Sequence, residues 1–417
     1  MRILVVSRHF PDNLSTKIHG VHKRFRMFLD AIKDIAEIDL LYYVSNETNT
    51  SSSSVKLLES SFSAHFNTPI RLSLSKRSDN TNLLSKLTSY ATGTFSFVRQ
   101  PSYSSTAGIH QVKSLESCLR LNPDAVFVHR LSAMCPLLLT KKSLPAVFFD
   151  LDDIEHIAFK RGIRFIRKAH IRLLSYFLIP ALFWGEYRSV RLSKRTFVCS
   201  EADRGILADR FRLKDVVAIP NAVKIPEQQP TALEETLLFI GSYFHKPNID
   251  AVEFLINQIW PHVHEALPTA TLIVAGSPAD KIPSYRRTIQ GVRYTGFVEN
   301  LDSIYRQSRV VCAPILSGSG TRIKIIEAAA YGKPIVATQL GAEGIQMRHG
   351  RHILLHDNPK LFSEACIKLL KDADFCHRLG SAARETVVKH YDQIKVKRMI
   401  QKYFKSENHT RTQPHAA

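Results

Sequence analysis

The chain has 417 residues, room for two domains of about 200 residues each and too many for one ordinary hydrophobic core. Hydrophobic residues make up 44% and charged residues 23%, which excludes disordered, collagen-like and disulfide-scaffold classes. With 57 Lys+Arg against 37 Asp+Glu the net charge is +20, and such a surface calls for an anionic partner: nucleic acid, a phosphate-bearing small molecule or an anionic membrane face. No apolar run reaches the ~18 residues of a membrane span. Leu173–Gly185 falls short and carries Pro180, and MRILVVSRHF at the start does not read as a signal peptide. The six cysteines form no CxxC pair. Cys135, Cys199 and Cys312 sit in apolar runs, which reads as buried thiols in a reducing cytoplasm.

Strand-like and helix-like stretches alternate throughout. Strands are expected at Ile3–Ser7, Ile38–Val44, Ala125–His129, Ala146–Asp150 and Thr196–Ser200, with a helix over Val21–Ile35. Most of these strands are continuous apolar runs, the pattern of parallel strands covered on both faces. Asn46–Ser54 reads as a polar loop, and Lys76 to about Ser105 as irregular. The second half repeats the rhythm, with strands expected at Val216–Ile219, Leu237–Gly241, Thr271–Ala275, Val292–Thr295, Val310–Ala313, Ile335–Ala337 and Ile353–Leu355. Helices fall between them at about Asn248–Ile259, Leu301–Arg306, Ile323–Tyr331, Lys360–Lys371 and Cys376–His390. Two doubly wound α/β domains follow, 1–215 and 216–390, joined where Pro220-Asn221 and Glu227–Pro230 break the pattern; 391–417 supplies a last helix end and a disordered tail.

The segment richest in chemistry is APILSGSGTRIKIIEAAAYGKPIVAT, Ala313–Thr338. A strand runs into the flexible turn Gly318-Ser319-Gly320, Thr321 follows as an N-cap, and a helix continues to a stop at Gly332 and Pro334. Backbone N–H groups left open at such a helix start, together with the helix dipole, favour a bound anion. Arg322 and Lys324 place cations at that positive end, which suits a phosphate and not the bare helix. Glu327 lies further along, where its carboxylate can accept from the vicinal hydroxyls of a ribose.

That string resembles the donor-site motif of the family-4, or group 1, glycosyltransferases, which have the GT-B fold. Their pattern is Glu-x7-Glu followed by Ala-x-Ala-x-Gly-x-Pro. Glu327–Thr338 matches its tail, and Ser319 stands where the first glutamate usually is. Phe239-Ile240-Gly241-Ser242 with Lys246-Pro247-Asn248 is similar to the family's loop at the donor diphosphate, with Ser242 in place of the usual Arg and Lys246 as a phosphate contact. Ile219–Val223 resembles the interdomain link, and Gly20 matches the last glycine of the N-terminal glycine-rich loop. The resemblance is strong over about 196–390 and weaker before.

The resemblance implies two Rossmann-like domains facing a central cleft, with the last helix returning to the N-terminal, acceptor-binding domain. It also implies transfer of a sugar from a nucleotide-diphosphate-sugar to a glycan, lipid-linked or small-molecule acceptor, of the kind that builds polysaccharides. Such transfer retains configuration and needs neither cofactor nor metal. Donor-binding residues would be Gly20, Gly241, Ser242, Lys246, Gly318, Ser319, Gly320, Thr321, Ile323 and Glu327; Arg322 and Lys324 would stabilise the leaving diphosphate. A sugar-nucleotide epimerase and a non-catalytic sugar-nucleotide-binding relative stay open as rivals, the second because of Ser319.

Asp150-Leu151-Asp152 offers a second choice. It matches the D-x-D of metal-dependent transferases, but lies far from the donor segment. At the end of a strand these acids face the crevice of a doubly wound sheet, and Asp150 and Asp152 are expected on the acceptor side as catalytic groups, with no metal site. Capping of the next helix is the alternative. Lys160–Arg195 holds two cationic clusters around LLSYFLIPALFWG, which reads either as a helix hairpin or as a contact to the anionic inner face of the membrane. No nucleic-acid motif accompanies the positive charge.

Overall fold

The computed structural model describes residues 1–10, 20–78, 106–166, 168–212, 215–227 and 234–405. The expected loop residues Lys17–His19, most of the irregular stretch after Lys76 and the tail after Glu407 lie outside them. The chain divides into two compact units, Met1–Ile219 with Lys397–Ala417, and Pro220–Val396.

The first unit is a seven-stranded parallel sheet of β1 (Arg2–Ser7), β2 (Glu37–Val44), β3 (Ile70–Lys76), β4 (Ala125–His129), β5 (Ala146–Asp152), β6 (Arg195–Val198) and β7 (Val216–Ala218). Its order is β3-β2-β1-β4-β5-β6-β7. Ile3 pairs with Ile38 on one side and Ala125 on the other. The central strands are apolar on both faces because helices cover both: Ile3, Val5, Val6, Phe127 and Val128 are fully enclosed. β3 escaped the sequence reading because IRLSLSK alternates, as an outer strand half open to solvent does; Arg71 is exposed on it. The helix Ser52–Phe66 takes over the end of the expected polar loop, capped by Ser51, whose side chain accepts from the Ser54 N–H. The Val216 strand pairs with β6, so it closes the first sheet and does not open the second. From Lys397 the final helix, Gln393–Lys405, belongs to this unit. Phe404 meets the Phe148 ring at 4.4 Å, and Lys397 pairs with Asp34 at 2.6 Å.

The second unit holds β8 (Thr236–Ile240), β9 (Thr271–Ala275), β10 (Val292–Gly296), β11 (Val310–Ala313), β12 (Ile335–Ala337) and β13 (Leu354–Leu355). All are parallel, in the order β10-β9-β8-β11-β12-β13. Both sheets therefore reverse direction beside their first strand, at β1/β4 and at β8/β11, and ligands of such sheets bind outside the carboxyl ends at that point. Where one helix over Asn248–Ile259 was expected, Lys246–Phe254 runs through a π turn at Leu255–Ile259 into Trp260–Ala266. Pro261 explains the turn: it has no N–H to give, and the Trp260 N–H reaches back to the Leu255 carbonyl instead. Gly276 ends β9 at φ +130°, and a methyl there would lie 1.7 Å from the Gly241 carbonyl oxygen, so the close approach of the two strand ends requires glycine.

Candidate functional site

Two constellations stand at the carboxyl ends of the sheets, one in each unit. In the second unit β11 feeds the turn at 318–320. Gly318 and Gly320 take φ of +101° and +74°, which a side chain would resist. The helix Ile323–Ala330 follows, so the Ile323 N–H is among the open donors of its first turn. Thr321 is not its N-cap: Arg322 holds that position without a side-chain cap, and the buried Thr321 hydroxyl accepts from Asn221 Nδ2 at 2.7 Å. Asn221, from the Pro220-Asn221 pair, thereby pins the turn.

Lys324 points back toward β8. Its Nζ donates to Asn248 Oδ1 at 2.8 Å and lies 4.2 Å from the centre of the Phe239 ring. Asn248 Nδ2 in turn donates to the Ser242 carbonyl at 2.8 Å. A methyl on Gly241 would come within 3.0 Å of both Asn248 and Lys324 Nζ, so these groups converge on one backbone position. Burial, and then the Arg322 charge, hold the Lys324 amine down at about 7, against a smaller opposing pull from Glu327. Arg322 is folded onto its own loop, donating to the carbonyls of Ser319 and Gly320, with Ser317 O at 3.4 Å. The hydroxyls of Ser242 and Ser319, at the two positions where the family motif has a charged residue, are enclosed and make no hydrogen bond among the described residues. Glu327 lies one helical turn beyond Lys324; burial and then its charge raise the Tyr305 hydroxyl pKa, and burial, Asp302 and then Glu327 raise that of Tyr331.

Lys246 opens the helix Lys246–Phe254 with its side chain exposed and paired to Asp250 one turn on, while Asn248 is the residue that faces Gly241. Asn248 was legible only as part of the Lys-Pro-Asn match, because a neutral amide gives no charge signal.

In the first unit Gly20 opens the helix Gly20–Ile32. Asp150, expected at the reacting centre, lies instead in the interior. Its carboxylate takes Nε of Arg24 at 3.0 and 3.1 Å and Nη2 at 2.7 Å, while Arg24 Nη1 donates to the Ile219 carbonyl at 2.8 Å. Both side chains are wholly enclosed. This is a buried anchor tying the first helix to β5 and to the chain's exit at Ile219. Arg24 shares the apolar stripe of its helix with Phe28, whose ring centre is 5.3 Å from the guanidinium; a lone cation on an apolar stripe was the missed signal.

Asp152 stands at φ +61° and Arg130, at the end of β4, at φ +69°; the two pair at 3.3 Å. Arg130 also holds Asp153 at 2.9 Å. Two strained non-glycine residues thus face each other at the strand ends, held there by their ion pair. Burial, then the Asp153 charge, raise the Asp152 carboxyl to about 7. Beside them β1 and β4 end in Ser7 and His129, whose Oγ and Nδ1 are 3.0 Å apart. Among the described residues His129 Nε2 has no hydrogen-bond partner, and burial drives this imidazole well below its ordinary pKa. His9 lies edge-on at 5.6 Å, held at about 3 by burial and then by Arg130, so both rings are neutral. His129 was readable as the one polar residue ending an apolar strand.

Among the described residues one group could gather a metal ion: Asp152, Asp153 and Cys199. It is a poor donor set. Arg130 already answers both carboxylates, and burial followed by the charge of Asp203 pushes the Cys199 thiol up, away from the thiolate that ligation needs. Asp150 belongs to Arg24. No described helix is long and apolar enough to cross a membrane.

Residues 234–372 match the family model described as glycosyl transferases group 1. A phosphatidyl-myo-inositol mannosyltransferase of Mycobacterium leprae is 26% identical over 217 residues, 48% of this chain and 57% of that protein. An uncharacterized 44.6 kDa protein in the cps region of Klebsiella pneumoniae is 25% identical over 169 residues, 38% of this chain and 43% of that one. The chain thus spans about half the length of the curated relatives it matches. Among solved structures, Anabaena HepE in complex with UDP and glucose aligns over 97% of this chain and 99% of its own, at 13% identity and a TM-score of 0.62. The sucrose-phosphate synthase of Thermosynechococcus elongatus aligns over 98% and 99%, at 13% identity and a TM-score of 0.69.

Proposed function

We propose that the chain is a group 1 glycosyltransferase of GT-B fold and that it transfers a sugar from a nucleoside-diphosphate sugar to an acceptor, with retention and without a metal. The observation that carries the reading is the convergence of Lys324, Asn248 and Gly241 beside the glycine turn of 318–320. It offers a cation, an amide and open backbone donors to a diphosphate at the carboxyl end of β8, with Glu327 one turn away for a ribose. Lys324 and the first-turn N–H groups meet the charge that grows on the leaving diphosphate, and Arg322 keeps the turn in shape. Gly318 and Gly320 let the backbone approach it, and Ser242 and Ser319 supply hydroxyls where relatives carry charge. The bond from the anomeric carbon to the diphosphate oxygen breaks as the acceptor oxygen bonds that carbon on the same face, and the departing diphosphate takes the acceptor's proton, so the protein's share is positioning and charge stabilisation.

Neighbours of the same fold whose structures hold UDP support a uridine donor. A lipid-borne acceptor is supported by the phosphatidyl-myo-inositol mannosyltransferase relative. His129, with Nε2 unengaged, and Asp152 are the polar groups we assign to the acceptor half.

The test is a thermal-shift screen of the whole chain against UDP, GDP and their sugar conjugates, followed by donor turnover. A nucleotide at 100 times Kd adds ~2.7 kcal/mol of stability. No shift with any nucleotide rejects the donor site. A shift without transfer or donor hydrolysis favours the non-catalytic reading that Ser319 suggests, and an epimer formed without acceptor favours the epimerase.

A further inference from the structure

Between β5 and β6 the first unit carries a helix, Ala169–Tyr176, whose apolar residues face outward. In Ala169–Tyr176 only Ser175 is buried, its hydroxyl turned onto the Ile171 carbonyl at 2.8 Å. Leu173, Leu174 and the following Phe177 are 63%, 62% and 59% exposed. Residues on a helix are 100° apart, so Leu173 and Phe177 each lie about 160° from Ser175, at the outward pole. An ordinary surface helix puts its apolar stripe inward and its polar residues there. Eight residues with almost no packing are also too few for a helix that stands alone in water. The arrangement calls for an apolar medium on the outside.

The charge around it has one sign. Residues 157–195 contain ten Lys and Arg and a single acid, Glu186. Glu186 is fully buried and occupied by His156, whose N–H and Nδ1 lie 3.0 and 2.5 Å from its two oxygens. Lys160, Arg164, Lys168 and Arg172 precede or enter the apolar helix, and Arg188 and Arg191 follow it, all exposed. A protein partner is usually held in register by charges of both signs; an apolar crown flanked on both sides by cations alone is the pattern of an interfacial helix.

We propose that this hairpin docks the protein on the surface of an anionic phospholipid bilayer, with Leu173, Leu174 and Phe177 set below the headgroups and the flanking cations among them. The reading rests on exposure and charge in the first unit and holds whatever the donor or acceptor.

The full chain should co-sediment with phosphatidylcholine vesicles that contain phosphatidylglycerol, and not with phosphatidylcholine alone. Rising salt should release it, since exposed charges are screened within about 10 Å at 0.1 M. Arg164→Gln and Arg172→Gln should each weaken binding roughly fivefold. Leu173→Ser with Phe177→Ser should weaken it ~10-fold or more at every salt concentration. Because these side chains are exposed, melting temperatures should stay at the wild-type value; Phe177→Ser alone serves as a second variant should the pair shift it. Equal binding to neutral vesicles, no binding to anionic ones, or wild-type binding by both serine variants would overturn the proposal. So would a self-associated species in sedimentation velocity that the serine variants abolish, in a protein that ignores vesicles: the crown would then cover a second copy of this chain.

Discussion

Lys324 Nζ donates to Asn248 Oδ1 across 2.8 Å, a contact between residues 76 positions apart that joins the helix after the glycine turn to the loop after β8. The amine is held at about 7 by its enclosure, whereas a diphosphate beside it would pull that value up. The sign follows. Near pH 8 the free protein carries a largely neutral Lys324 and the bound protein a charged one, so binding takes up a proton. Nucleoside diphosphate affinity should therefore fall as pH rises above 7, by at most ~10-fold per pH unit. Titration calorimetry in two buffers of different ionisation enthalpy reads the proton directly. Lys324→Met should lose both the uptake and ~10-fold or more in affinity, and a wild-type protein with pH-independent affinity would refute the role.

Asn248→Ala separates positioning from charge. The amide carries no charge, so the variant keeps the cation and removes what aims it. Affinity for the diphosphate should drop by a few-fold, corresponding to ~1 kcal/mol for one hydrogen bond, and Asn248→Gln should recover little because its longer arm cannot reach the Ser242 carbonyl at the same time. Arg322→Ala should act differently again: with its loop carbonyls released, turnover should fall ~10²–10³ if the turn must stay in shape for the transition state. Turnover near wild type in a folded Arg322→Ala protein would dismiss that bracing role.

Glu327 tests the ribose. A carboxylate accepts from both vicinal hydroxyls, and an amide only through its single oxygen. Glu327→Gln should weaken UDP or GDP binding by at least ~10-fold, from ~1.5–3 kcal/mol per charge-assisted bond. The loss should be smaller for a 2′-deoxy analogue, which already lacks one partner. Equal affinities of wild type and variant for the ribonucleotide would leave Glu327 a surface charge beside Tyr331.

For metal, the expectation is that EDTA leaves turnover unchanged. Arg130 bridges the two carboxylates that could have gathered an ion, at 3.3 and 2.9 Å. Loss of activity on chelation, restored by Mn²⁺, would reverse that view and bring Asp152 and Asp153 forward as ligands.

What the sequence showed depends on the kind of signal each residue sends. Apolar runs such as ILVV at 3–6 and AVFV at 125–128 announced buried parallel strands, and Gly318-Ser319-Gly320 announced the turn that feeds the helix Ile323–Ala330, because periodicity and turn chemistry are local. β3 stayed hidden, since its alternation is that of a half-exposed strand and does not resemble its neighbours. The pairing of Arg24 with Asp150 spans 126 residues, and that of Asn221 with Thr321 spans 100; nothing local records either one. Lys246 shows the converse: a charge in a motif draws attention, while its long, exposed side chain is paired with Asp250 one turn away and the neutral Asn248 faces Gly241.

The last prediction concerns Arg24 and Asp150, because it decides whether Asp150 is chemistry or structure. Both are enclosed, and Asp150 takes three contacts from the guanidinium at 2.7–3.1 Å. Breaking such a pair leaves one charge stranded in the interior, which costs ~3–5 kcal/mol, whereas replacing both partners by apolar residues of similar size is often neutral. Arg24→Met and Asp150→Leu should each lower the denaturation midpoint sharply, and the double variant should recover most of the loss. Recovery will be incomplete, since the Ile219 carbonyl also loses the Arg24 Nη1 donor, and Asp152 loses a cation 3.3 Å away. The double variant then carries the decisive measurement. If Asp150 is an anchor, the refolded double variant keeps turnover within about tenfold of wild type. If Asp150 takes part in the reaction, stability returns and turnover does not, with losses of the ~10²–10⁴ typical of a general acid or base. Denaturant titration and donor turnover on the same four proteins separate the two outcomes.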